Sequence, residues 1–370
     1  MLFWVEGMVR EPTLIILKSY ICEKFLMITF LDSGFSQLND FIDQLNPGRL
    51  LILVDENTHE HCLPTLLGNL ETTVPFEIIE IEAGEEMKTI ETAVQLWEIL
   101  AEFETDRSSV LINLGGGVIT DLGGFVASTY KRGIRFINIP TTLLGMCDAS
   151  IGGKTGIDHR FIKNLAGTFW LPAHIFVYPE FLKTLPFTEL RSGFAEMLKH
   201  GLIADKKHWQ ELTSITQITP EAVIAHIEKS MNIKQRIVDE DYHETHIRKT
   251  LNFGHTVGHA IESLFLQLGT PLPHGEAVAA GMICETWISY LEDFISETEA
   301  NNIITELRRF YPTIPVDSSY FEKLLLLMSH DKKNTGSSIR FALLNETGKA
   351  GYHYEVSVEN ILLALKIYQK

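Results

Sequence analysis

Between Leu50 and Tyr178 the chain alternates short aliphatic runs with stretches whose apolar residues return every three or four positions. Leu50–Val54, Phe76–Ile81, Val110–Leu114, Arg135–Ile139 and Ile175–Tyr178 have the length and β-branched content of strands. Thr89–Phe103 places apolar residues at Ile90, Val94, Trp97 and Leu100 or Ala101, which predicts a helix with that face inward. Such alternation predicts a mostly parallel sheet covered by helices. Leu14–Leu31 is also strand-like but has no evident partner in that series. Beyond about Pro186 the spacing turns helical: Glu189–Gly201, Glu221–Glu240, His255–Leu268, Glu276–Glu292 and Glu297–Phe310. The expected architecture is an α/β domain over residues 1–186 and an all-α domain over 187–370, divided near Thr184–Thr188.

Composition narrows the function. With 370 residues, 45% hydrophobic and 21% charged, the chain can bury the cores of two domains. No apolar run approaches the roughly 20 residues of a membrane helix. The start, MLFWVEGMVREPT, has an early Glu and neither a leading basic cluster nor a small-residue cleavage site, so no signal peptide is expected. Cys22, Cys62, Cys147 and Cys284 are scattered without CxxC pairs, which predicts reduced thiols and a cytoplasmic protein. A net charge of −17 repels phosphate backbones and excludes nucleic acid as a partner. Small anions must then be held by local cations, for which Lys131, Arg132, Lys154, Lys163 and Lys199 stand in or beside glycine-rich or helical motifs.

Gly115, Gly116 and Gly117 follow a strand and precede the helical stretch Val118–Ser128. A turn of that kind lets backbone approach a pyrophosphate at a helix N-terminus. It also serves as a tight structural turn, and Thr120 stands where GxGxxG has its last Gly. Asp121, one turn later, reads as a nucleotide contact or a surface residue. Asp55, at the end of a strand, reads as a ribose ligand or as the N-cap before Asn57-Thr58.

His255 and His259 share one helical face and can chelate a divalent cation, with a third ligand from elsewhere. Glu196, in AEMLKHG, and His274, in the HGEAV loop, supply carboxylate and imidazole. Spacing alone does not say which two histidines bind.

GGGVITDLGGF, KRG, PTTLLGMCDASIGGKTGID, KN, SGFAEMLKHG, LNFGHTVGHAIE, HGEAV and a late DKK occur in that order from about Asp55 to Lys333. In this series the chain resembles the 3-dehydroquinate synthase family of sugar-phosphate cyclases. The resemblance implies a Rossmann-like NAD-binding domain, a helical C-terminal domain, an active site between them and a homodimer. It implies Zn2+ (or Co2+) on Glu196, His255 and His274, which moves His259 from the metal to the substrate. It implies NAD contacts from Asp55, Glu85, Lys88, Gly115, Gly116, Gly117, Asp121, Thr141 and Thr142, with Lys163 facing cofactor or substrate. Substrate contacts would come from Arg132, Asp148, Lys154, Asn164, Lys199, Lys234, Glu244, Arg248, Asn252, His259 and one of Lys332 or Lys333. Departures from the family pattern at Gly145-Met146, Ala149, Asp158 and Ile162 remove no ligand or charge.

The reaction so implied converts 3-deoxy-D-arabino-heptulosonate 7-phosphate into 3-dehydroquinate and phosphate, with NAD oxidising C5 transiently and being regenerated. A metal-dependent polyol dehydrogenase shares the architecture but would release NADH. Cyclases of glucose 6-phosphate or sedoheptulose 7-phosphate are nearer rivals. Lys154, Lys163-Asn164 and Arg248 favour a phosphorylated substrate, and Lys234, Asn252 and His259 favour the heptulosonate.

Overall fold

The computed structural model describes residues 27–159, 162–329 and 339–370. The N-terminal MLFWVEGMVREPT stretch, Cys22, most of Leu14–Leu31 and both Lys332 and Lys333 lie outside the described residues.

Strands β1 (Ile28–Phe30), β2 (Leu50–Asp55), β3 (Phe76–Ile81), β4 (Val110–Gly115), β5 (Arg135–Pro140) and β8 (His174–Val177) form one parallel sheet in the order β1-β8-β5-β4-β2-β3. Between β5 and β8 the chain makes a separate antiparallel hairpin, β6 (Lys154–His159) and β7 (Ile162–Phe169). The five strands read from the sequence are all present, and β1 gives the end of Leu14–Leu31 a place at the sheet edge. Every residue of β4 is buried, because helices cover both faces of a parallel sheet; hence the unbroken aliphatic runs. From the β3 edge the order is β3, β2, β4, β5, β8, β1, so it reverses between β2 and β4. Open α/β sheets bind ligands outside the carboxyl ends of strands at such a point. Asp55 and Gly115 end those two strands.

The helix Ile90–Glu102 is where expected, but its inward face is turned. It buries Thr92, Ala93, Leu96 and Leu100, while Ile90 and Trp97 are partly buried and Val94 is 39% exposed. The small Thr92 and Ala93 take inward positions that a reading built on large side chains does not register. The β6–β7 hairpin was not anticipated. KTGID and KNLAGTF lack a regular alternation of large apolar residues, and hydroxyls hold the hairpin instead. Thr155 and Thr168 hydroxyls lie 2.7 Å apart, and Thr168 is 2.7 Å from Ser128 on the helix Gly117–Thr129.

The C-terminal half is helical: Phe187–Ala204, Lys206–Thr213, Pro220–Glu240, His255–Gln267, His274–Leu291, Glu297–Phe310, Phe321–Ser329 and Val358–Tyr368. It is not all-α, since β9 (Arg340–Glu346) and β10 (Lys349–Glu355) form a hairpin closed by Thr347-Gly348, with Gly348 at φ 92°. Phe341–Leu344 are buried, so this run belongs to the core as a strand. One apolar core runs from Leu31 to Tyr368 across both halves. Among the described residues no helix is long and apolar enough to cross a membrane.

Two helix contacts are close enough to require glycine. A Cβ on Gly281 would lie 1.9 Å from the Gly254 carbonyl oxygen and 2.7 Å from the Gly258 nitrogen. A Cβ on Gly275 would lie 2.1 Å from the Ser192 carbonyl oxygen. These contacts bind the helices that begin at His255, His274 and Phe187 into one bundle. Gly281→Ala should therefore lower stability by roughly 2–3 kcal/mol, whereas Gly68→Ala, which meets nothing within 4 Å in the helix Leu63–Asn69, should not. Thermal unfolding of the two variants measures this, and equal melting temperatures would contradict the packing described.

Candidate active site

Glu196, His255 and His274 converge from three helices. Glu196 is fully buried, and its Oε1 lies 3.4 Å from His255 Nε2 and 3.6 Å from His274 Nε2. His255 Nδ1 is 3.1 Å from the Phe253 carbonyl oxygen; by donating there it keeps the Nε2 lone pair for a cation. His274 Nδ1 faces Glu262 Oε1 at 3.5 Å, the carboxylate–imidazole arrangement that orients metal ligands. Lys199 ion-pairs with Glu196 Oε2, while Oε1 lies between the two imidazoles. A buried carboxylate so placed is suited to a divalent cation.

A second grouping, His259, Glu262 and His274, is as compact, with ligand atoms within 4.8 Å in both. The difference lies in the carboxylates. Lys163 takes Glu262 Oε1, the oxygen that faces His274, at 2.9 Å, whereas Lys199 takes Glu196 Oε2 and leaves Oε1 to the two imidazoles, so Glu196, His255 and His274 fit a cation better. The His259 ring stands 5.1 Å from that of His255, beside the set.

Cations surround this centre, and each of its lysines is matched by a carboxylate. Lys234 Nζ is 2.7 Å from Asp148 Oδ1, and both Lys199 and Lys234 are buried. Asp148 sits in a π-turn, where the Ser150 N–H reaches back five residues to the Gly145 carbonyl at 3.1 Å. Burial alone would raise the Asp148 carboxyl, but Lys234 and Lys199 hold it well below the usual carboxylate range. Burial likewise would raise Glu196, and Lys199 and His255 outweigh it. His274 moves the other way. Burial disfavours its charge, but Glu262 above all and Glu196 push its imidazolium up to about 10.

Lys154 pairs with Glu244, whose other oxygen accepts from Asn252 Nδ2 at 2.8 Å. Lys163 bridges Glu262 at 2.9 Å and Glu85 at 3.4 Å, and so faces both sides of the site. Asn164 has φ 50°, and its N–H donates to Asp158 Oδ1 at 2.6 Å. Arg248 is buried and donates to the Tyr242 carbonyl and, at 3.1 Å, to the Gly152 carbonyl. Its guanidinium thus braces the turn that presents Lys154. Arg132 is exposed, with φ 67°, and no ion pair or hydrogen bond joins its side chain to this cluster among the described residues.

The nucleotide-side residues gather at the carboxyl ends of β2, β4 and β5 and in the loop after β3. Gly115 ends β4, Gly116 precedes the helix Gly117–Thr129, and no side chain caps that helix. A Cβ on Gly116 would lie 2.9 Å from Thr142 Cγ2, so the β4 and β5 turns are in contact. The Thr141 N–H donates to the Gly115 carbonyl at 3.1 Å. Asp55 does form a capping box: its Oδ1 accepts from the Thr58 N–H at 2.8 Å, and Thr58 Oγ1 accepts from the Asp55 N–H at 2.9 Å. Asp121 is not a free surface residue, since Lys88 Nζ lies 2.6 Å from it.

Three residues of the site escaped sequence reasoning. Glu262 had a signal, three positions after His259 on the same helix. His200, fully buried, has Nδ1 2.8 Å from Ser230 Oγ and Nε2 3.6 Å from Asp148 Oδ1. Glu285 accepts from the Gly254 N–H at 2.6 Å and the Val257 N–H at 3.0 Å, and so anchors the first turn beside His255. Neither of the last two stands out from its apolar helical surroundings in sequence.

Because His274 carries its proton up to about pH 10, a metal entering the set must displace it. Apparent Co2+ affinity at this set should rise about tenfold per pH unit from pH 6.5 to 8.5. Equilibrium dialysis measures it; a flat profile would show that His274 does not hold the competing proton.

Residues 78–192 match the family model of the 3-dehydroquinate synthase N-terminal region, and residues 193–334 that of its C-terminal region. A 3-dehydroquinate synthase from Parabacteroides distasonis is 40% identical over 337 residues, 90% of this chain and 95% of the relative. Among solved structures, a 2-epi-5-epi-valiolone synthase from Streptomyces hygroscopicus subsp. jinggangensis, with NAD+ and Zn2+ bound, superposes with a TM-score of 0.81 at 25% identity, covering 99% of each chain. A 2-deoxy-scyllo-inosose synthase complexed with carbaglucose-6-phosphate, NAD+ and Co2+ gives a TM-score of 0.81 at 23% identity, over 92% of this chain and 96% of that one.

Proposed function

The chain belongs to the 3-dehydroquinate synthase family, and on that premise we propose how its residues carry the reaction. It converts 3-deoxy-D-arabino-heptulosonate 7-phosphate into 3-dehydroquinate and phosphate, a lyase step of the shikimate pathway. The observation that supports the assignment of roles is the O/N/N donor set of Glu196, His255 and His274, ringed by buried lysines. When bound, NAD takes and returns a hydride at C5, and the divalent cation (Zn2+ or Co2+) polarises the C5 oxygen.

Glu196, His255 and His274 hold the cation. The turn Gly115–Gly117, at the N-terminus of the helix Gly117–Thr129, holds the pyrophosphate, with Thr141 and Thr142 beside it. Asp55 Oδ1 caps its helix, which leaves Oδ2 for a ribose hydroxyl. Lys88 fixes Asp121 beneath the nucleotide, and Lys163 with Glu85 closes the gap between nucleotide and metal. Lys199 and Lys234 favour loss of the proton from the substrate hydroxyl through their charge; Glu196 sets the position of the first and Asp148 that of the second. Lys154 and Asn164 receive the phosphate with Lys332 or Lys333; Arg248 supports them through Gly152. Glu244 and Asn252 orient Lys154, and His259 moves a proton at the substrate. Arg132 reaches the substrate only from outside this cluster. We also propose a NAD-binding domain over residues 1–186, a metal- and substrate-binding domain over 187–370, and a cytoplasmic homodimer, on the strength of the family likeness.

Incubating the protein with the heptulosonate phosphate, catalytic NAD and Zn2+ should release phosphate and dehydroquinate together, with no net NADH. Accumulating NADH would instead identify a dehydrogenase, and turnover only with glucose 6-phosphate or sedoheptulose 7-phosphate would change the substrate. His255→Ala should bind one equivalent less Zn2+ per chain and lose roughly three orders of magnitude in kcat. Undiminished Zn2+ in that variant would remove His255 from the ligand set.

A further inference from the structure

Outside the active-site set, His208, Glu211 and His226 bring ligand atoms within 4.8 Å of one another. His208 and Glu211 are three residues apart on the helix Lys206–Thr213, and His226 faces them from the helix Pro220–Glu240. His208 is fully buried, and neither ring nitrogen has a hydrogen-bond partner among the described residues. Its Nδ1 lies 3.9 Å from Glu211 Oε2, and its ring is 6.1 Å from that of His226. Buried imidazole nitrogens are normally satisfied, so an orphaned one beside a carboxylate and a second imidazole calls for a ligand.

We propose that His208, Glu211 and His226 form a second divalent metal site, of the Zn2+ or Co2+ class, joining the helix Lys206–Thr213 to the helix Pro220–Glu240. One carboxylate and two imidazoles suit these ions and leave room for water as a fourth ligand. Lys229 occupies the carboxylate in the metal-free state, its Nζ 2.8 Å from Glu211 Oε2. It has a second partner, Asp205 Oδ2 at 3.5 Å, to which it retreats when Glu211 binds metal. The helix so fastened carries Lys234, which makes the site a brace for the active-site wall rather than a catalytic group.

The test is a metal count on the full chain, stripped with chelator and dialysed against micromolar Zn2+. Wild type should hold two equivalents per chain, His226→Ala one with unchanged turnover, and His255→Ala one without turnover. Lys229→Met, which removes the competing charge, should tighten the second equivalent about tenfold. A single equivalent in wild type would overturn the proposal whether or not the variants fold. Two equivalents retained by His226→Ala, or no tightening in Lys229→Met, would overturn it as well.

Discussion

The close crossing of the helices His255–Gln267 and His274–Leu291 is the constraint on which the site depends. Any side chain at Gly281 would meet the Gly254 carbonyl, and any at Gly275 would meet the Ser192 carbonyl. These two contacts set the distance from His255 to His274 and from both to Glu196. Glu285, buried beneath the crossing, ties down the Gly254 and Val257 amides and fixes where the helix bearing His255 begins. Donor atoms on three separate helices are thus held near one point before any cation arrives, and such preorganisation is what a metal site requires.

Charge is organised around that point with little waste. A chain of net charge −17 nonetheless buries Lys88, Lys199, Lys234 and Arg248 near one cleft. An unpaired ammonium would be very costly there, and the structure sets Asp121, Glu196 and Asp148 against the three lysines. Arg248 is held by backbone carbonyls instead. Lys163, between Glu85 and Glu262, links the nucleotide side to the metal side, with Glu262 touching His274 in turn. The cleft is therefore a lattice of paired charges that joins the nucleotide side to the metal side.

Much of this was legible in the sequence where side-chain chemistry is local. Long buried strands announce themselves as aliphatic runs, and a glycine turn after β4 announces close backbone approach. HxxxH shows one face of one helix, but it cannot show that His274 arrives from another helix to stand beside His255. The resemblance to a known family supplied that choice, and a Glu196 oxygen that faces both His255 and His274 gives it a physical reason. What escaped the reading was non-local or small. The β6–β7 hairpin rests on threonine hydroxyls, and the helix Ile90–Glu102 turns on Thr92 and Ala93. Arg248 reads as a substrate cation in sequence; that it also donates to two backbone carbonyls is a use that only the folded turn at Gly152 reveals.

The central claim, that three helices locked at glycine contacts deliver Glu196, His255 and His274 to one cation beside the nucleotide turn, is tested most directly by crystallography. Crystals grown with Zn2+ and NAD should give an anomalous peak about 2.0–2.2 Å from a Glu196 oxygen, His255 Nε2 and His274 Nε2, with pyrophosphate density against Gly115–Gly117. A peak bound instead by His259 and Glu262, or none in this cleft, would contradict it.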